Sequence, residues 1–152
     1  MRGLLEWHAA QTPNAAALVA PSREALTYAG LLAQVERSRA VLQAAGIRRT
    51  DRVAVVLPNG PEMAAAFVAI ACGATTAPLN PAYRAEEFDF YLSDLNAKAL
   101  VILEGMGRGV ESNIDAEFSC DAVNLAMIKD SAVASRHAGK VFDVVCRFWP
   151  MR

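Results

Sequence analysis

The sequence is poor in the residues that most often carry a chemistry. It has three cysteines and two histidines in 152 residues. Cys72, Cys120 and Cys146 are widely spaced, which argues against a disulfide framework and for a reducing compartment. Cys120 and Cys146 lack partners at metal-ligand spacing. With His137 nearby they can be drawn as a site, but no metal is expected. An excess of one charge is also lacking. The net charge of -1 gives no electrostatic reason for a nucleic-acid or anionic-membrane partner. No apolar run reaches the roughly 20 residues that a bilayer requires. The longest is Met63 to Ala74, so no membrane span is expected. The N-terminal stretch Met1 to Pro13 is broken by Glu6 and His8 and does not read as a signal peptide.

What the chain does have is apolar residues, 54% of the total, many of them alanine, which suits helices. The pattern predicts a first helix over Gly3 to Ala10, stopping before Thr12-Pro13. Ala16 to Ala20 and Glu24 to Tyr28 read as a hairpin across Pro21-Ser22. Tyr28 then enters a long helix whose Leu31, Val35, Ser38, Leu42 and Ala45 share a face. Gly46 supplies a left-handed stop. Asp51 to Pro58 is a continuous apolar run of the kind that parallel strands show when covered on both faces. Asn59 is expected to cap the next helix, with Pro61 in its first turn and Met63, Phe67, Ile70 and Ala71 inward. Gly73 ends that helix, with an expected positive φ. Thr75 to Leu79 reads as a strand. Ala85 to Leu95 reads as a helix with Phe88, Tyr91, Leu92 and Leu95 on one face, and Ala97 to Leu103 as a buried strand. The order strand, helix, strand, helix, strand implies an α/β fold built on an open, mainly parallel sheet with flanking helices.

The character changes near Gly105. Residues 1–105 hold 24 alanines and six prolines; the 47 residues that follow hold six and one. The division expected is 1–105 and 106–152, the second part a tail of unknown origin, partly disordered. Within it Ala122 to Ile128 reads as a helix and Lys140 to Trp149 as a strand.

Two motifs carry a resemblance. "LTYAGL" (Leu26 to Leu31) resembles the first core motif of the adenylate-forming superfamily, the AMP-binding acyl-CoA synthetases, luciferases and adenylation domains. "AIACGATTAPLNPAYRAEEFDFYL" (Ala69 to Leu92) resembles the second. The segment between, Asp51 to Ala69, is similar to the intervening strand and helix. The wording is similar to the branch of oxalate–CoA and 4-coumarate–CoA ligases. The resemblance covers roughly residues 3 to 105 and leaves 106–152 unmatched, so the expected fold is the superfamily's N-terminal subdomain in incomplete form.

The resemblance implies an ATP-dependent acid–thiol ligase, AMP-forming, using ATP, Mg2+ and CoA. Members hold phosphates with a Ser/Thr/Gly-rich loop followed by lysine, and nothing of that kind is visible in 106–152. Gly105 to Gly109 has glycines without lysine or a hydroxyl pair, a weak phosphate signal. The later family motifs are missing as well. The expectation is a truncated ligase fragment, inactive alone, with no catalytic, cofactor-binding or metal residues of its own and no cofactor bound. The alternative is a non-catalytic module that pairs with a full-length ligase and regulates it. The motif residues Tyr28, Gly73, Pro78, Asn80, Pro81 and Tyr83 are read as structural: Tyr28 packs a helix entry, and Pro78 and Pro81 stiffen a turn in which Asn80 bonds its own backbone. Asn80 and Tyr83 as substrate contacts are the less favoured reading.

The remaining polar clusters read as ordinary surface. Ser135, Arg136 and His137 with Asp130 are too close in sequence for a triad. Glu86, Glu87 and Asp89 suit the positive end of a helix. Arg48, Arg49 and Arg52 read as exposed. Trp7 and Trp149 show no stacking pattern. Self-association is expected through an unpaired edge at Val53 to Leu57 or Leu100 to Leu103. The expected location is cytoplasmic, with a peroxisomal alternative for which no C-terminal signal is visible.

Overall fold

The computed structural model describes residues 1–103, 123–127 and 144–146. Helix α1 (Arg2–Gln11) is followed by a small antiparallel pair, β1 (Ala16–Leu18) and β2 (Leu26–Thr27). Then come α2 (Tyr28–Ala44), β3 (Arg52–Val56), α3 (Pro61–Ala71), β4 (Thr75–Pro78), α4 (Ala85–Asp94) and β5 (Ala97–Leu103). Strands β6 (Val123–Met127) and β7 (Val144–Cys146) complete the order. The main sheet runs β4-β3-β5-β6-β7, with β4, β3 and β5 parallel and β6 and β7 antiparallel to their neighbours.

Sequence explains most of these boundaries. Thr27 precedes α2 in extended conformation, and its Oγ1 accepts from the Gly30 N–H at 3.1 Å, satisfying one donor the helix leaves free. The helix ends in paired bonds. Gly46 N–H donates to the Gln43 carbonyl and Ile47 N–H to that of Leu42, with Gly46 at φ 73 and Ile47 buried. This is the Schellman arrangement, which needs a left-handed residue at that point. Helix α4 ends in the same left-handed manner on Asn96, at φ 49.

Strand β3 lies between β4 and β5, and Val53, Ala54, Val55 and Val56 are buried on both faces. Alternate residues point to opposite faces of a strand, so two cores result. Val53, Val55, Leu57, Ala99 and Val101 pack with α1, α2 and α3. Ala54, Val56, Leu100 and Ile102 pack with Phe88 and Leu92 of α4. Helices α3 and α4 therefore cover opposite faces.

Several expectations are corrected. Ala122 to Ile128 contains a strand, β6, not a helix: pairing with β5 across five residues decides the conformation of a stretch with no clear period of its own. Neither β3 nor β5 is an open edge, because β3 is central and β5 pairs with β6. Among the described strands, the edges of the main sheet are β4 and β7. Helix α3 turns Ala65, Ala66, Ala69 and Ile70 inward and leaves Phe67 exposed. Small alanines let α3 approach α2 closely, and a phenylalanine on that face would hold the helices apart. The residue before α3 is Gly60, not Asn59, and no side chain caps it.

Candidate functional site

In open α/β sheets, ligands bind outside the carboxyl ends of the strands, where connections leave toward opposite faces. Here that point lies between β3 and β4. The chain leaves β3 through Leu57–Gly60 toward α3 on one face, and leaves β4 through Leu79–Arg84 toward α4 on the other. The proline-bracketed motif forms this second exit.

Its geometry is local and self-contained. The Leu79 N–H donates to the Val55 carbonyl at 2.9 Å, extending the ladder past Pro78. Pro78 has no N–H to offer and lies on the edge strand, where none is required. Asn80 Oδ1 accepts from the Ala82 N–H at 2.9 Å, and its carbonyl accepts from the Tyr83 N–H at 3.1 Å. The Asn80 side-chain oxygen is thus engaged in the turn. The Tyr83 ring stacks on Tyr91 at 4.9 Å between centroids and meets Phe88 edge-on at 5.8 Å. A side-chain hydrogen bond with Tyr91 pushes the Tyr83 phenol above its ordinary pKa. Glu87 Oε2 accepts from the Arg84 N–H at 2.8 Å and so closes the start of α4. Glu86 and Glu87 lie in the first turn, and Asp89 one turn further on.

Tyr28 and Gly73 lie elsewhere. Tyr28 begins α2, donates its N–H to the Ala15 carbonyl and stacks on His8 at 4.9 Å. Trp7 meets His8 edge-on at 4.8 Å, so it belongs to a short row of rings that the sequence did not announce. Gly73 is not in the left-handed region; among the described glycines only Gly46 is. A Cβ on Gly73 would stand 3.1 Å from Arg39 Cγ and 3.2 Å from Leu42 Cδ1 of α2. The glycine is required by close approach, not by backbone conformation.

A structural clamp lies at the amino ends of the strands. Lys98 Nζ donates to Asp51 Oδ2 at 2.9 Å and to the Gly46 carbonyl at 3.1 Å, and Asp51 also accepts from the Arg48 N–H. Burial pushes the Asp51 carboxyl up, but these two donors outweigh it and hold the group below its ordinary pKa. Arg48, Arg49 and Arg52 belong to the surface, as their sequence implies. They are exposed, and Arg52 also reaches the Leu95 carbonyl at 3.1 Å. Cys72 is buried, which pushes its thiol up and makes it a poor nucleophile.

Among the described residues no group of three or more His, Cys, Asp and Glu could hold a metal, and no helix is long and apolar enough to cross a membrane. The exit loops bring Asn59, Asn80, Tyr83 and Arg84 to one end of the sheet, and Arg84 is the one cation in these two loops. Cys120, Asp130, Ser135, Arg136, His137, Trp149 and Gly105–Gly109 lie outside the described residues, and the side chain of Cys146 is likewise not described.

Comparison with known proteins gives the setting. The family model "AMP-binding enzyme" matches residues 5–144. Oxalate–CoA ligase of Arabidopsis thaliana is 45% identical over 103 residues, covering 66% of this chain and 20% of the relative. A solved fatty acyl CoA synthetase of Mycobacterium tuberculosis superposes with a TM-score of 0.67 at 33% identity, covering 79% of this chain and 24% of that one. Pantothenate kinase 2 of Arabidopsis thaliana is 46% identical over 52 residues, covering 34% of this chain and 6% of the relative. The chain spans about a fifth of the length of the CoA ligases it matches.

Proposed function

Since the chain belongs to the AMP-binding enzyme family, we propose that its 152 residues carry part of the N-terminal scaffold of an AMP-forming carboxylate–CoA ligase without the groups that perform the reaction. One observation carries this reading: the oxalate–CoA ligase match covers 66% of the chain but only a fifth of the relative. The described exit loops offer one cation, Arg84, and no lysine beside hydroxyls. ATP, Mg2+ and CoA then belong to the complete enzyme, and the role of residues 1–103 is to build the β4-β3-β5 sheet and its two faces of helices. Three widely spaced cysteines, of which the described Cys72 is free, fit a cytoplasmic setting.

Titration calorimetry with ATP, Mg2+ and oxalate tests this. The reading expects no saturable heat; saturable binding of ATP by the chain alone overturns it. The regulatory alternative is favoured by the exposed apolar side chains Leu4 and Trp7 on α1 and Phe90 on α4, surfaces on which a full-length ligase could dock. Co-purification from source cells tests that alternative, and recovery of no ligase counts against it.

A further inference from the structure

We infer that the chain joins two lineages, with β5 as the seam: the CoA-ligase stretch runs to about Leu103, and the residues beyond it derive from the stretch shared with pantothenate kinase 2. Three observations support it, and two of them fall at this point.

The first is coverage. The ligase relative accounts for 66% of the chain and pantothenate kinase 2 for 34%. A ligase and a kinase share no reaction that would require a common 52-residue segment at 46% identity. The two shares sum to the whole chain, as they would if each relative matched a different part. The second is composition. Alanine falls from 24 in residues 1–105 to six in the remaining 47, and proline from six to one. One domain under one set of packing constraints does not ordinarily change its small-residue content so abruptly. The third is strand direction. Up to β5 every strand of the main sheet is parallel to its neighbour; from β5 onward each pairing is antiparallel. Parallel pairing comes with helical crossovers and antiparallel pairing without that need, so the mode of construction changes where the composition does.

Strand β5 suits a seam. Ala97, Ala99, Leu100, Val101 and Ile102 of this strand are buried, as suits a strand covered on both faces, and a joint at its end keeps the ligase-side ladder to β3 intact. The incoming segment then pairs β6 with the free side of β5 over Ala99 to Leu103 and closes an edge that would otherwise recruit other chains. The family model runs on to residue 144. The seam therefore lies inside the span that the family model matches, and the sequencing test below decides between the two.

The inference does not depend on whether the chain is catalytic. Its failure leaves the ligase reading of residues 1–103 intact, and failure of that reading in the calorimetric test leaves the seam intact. Long-read sequencing of the source genome and its transcripts tests it. The expected result is that the codons for residues 104–152 have a close counterpart inside a separate pantothenate-kinase-2-type gene, and that one transcript carries codons 97–110 without interruption. A genome in which that stretch has no counterpart in any such gene overturns the inference. Transcripts that never carry both sides of the seam in one frame overturn it too.

Discussion

Replacing Gly73 by alanine separates two reasons for a glycine at a helix end. The residue follows α3, its N–H donates to the Ile70 carbonyl at 2.8 Å, and it is not in the left-handed region. Backbone strain therefore contributes nothing. A new Cβ would stand 3.1 Å from Arg39 Cγ and 3.2 Å from Leu42 Cδ1, where carbon pairs prefer about 3.5–4.0 Å. The Arg39 side chain is long and half-buried and can yield. Leu42 is 3% exposed in the core and cannot swing aside. Overpacking of this kind costs about 1–3 kcal/mol, and the stiffer unfolded chain returns about 0.4–1 kcal/mol. The expected net loss is about 1–2 kcal/mol. With a urea slope of about 1–3 kcal/mol/M, the midpoint falls by roughly 0.3–2 M. Leu42→Val removes the opposing Cδ1, so Gly73→Ala should cost less in that background, by about 0.5 kcal/mol or more in a double-mutant cycle. Gly46→Ala provides the contrast. It has φ 73 and open space around it, costs about 1 kcal/mol through the backbone alone, and no side-chain truncation relieves it. An unchanged midpoint for Gly73→Ala, or a cost unaffected by Leu42→Val, refutes the close-approach account.

Thr27→Ala removes the bond to the Gly30 N–H and should lower stability by about 1 kcal/mol, read as a lower melting temperature. Ser38 Oγ is buried without a partner among the described residues, so Ser38→Ala should be neutral or raise the urea midpoint. The Asp51 carboxyl has a folded pKa below its unfolded value, so its stabilising contribution is present above the unfolded pKa of about 4 and is lost as pH falls through the folded one. Urea midpoints between about pH 6 and about pH 2 should therefore fall more steeply for the native chain than for Asp51→Asn.

The strand–helix–strand–helix–strand order could be read from the sequence because its signals are local. Val53 to Leu57 is apolar without alternation, Pro61 fixes a helix start, and Gly46 stops one. What escaped were matters of contact between distant residues. No periodicity tells that α3 buries Ala65, Ala66 and Ala69 while exposing Phe67, since that depends on how near α2 comes. The same approach decides the role of Gly73. Val123–Met127 carries no clear period, and its conformation follows from the free side of β5, a neighbour twenty residues earlier in the chain. At the candidate site, the proline-bracketed turn was readable because Asn80 bonds to its own backbone two residues on. The Lys98–Asp51 clamp spans 47 residues and left no mark that a sequence pattern could show.

Carboxylate-dependent exchange of pyrophosphate into ATP tests the central claim most directly, because it reports the first half-reaction without requiring CoA. The purified 152-residue chain, given ATP, Mg2+ and a panel of acids that includes oxalate, should show no exchange above a heat-killed control. Exchange clearly above that control with any of the acids would contradict the claim and show that these residues hold an adenylating centre of their own.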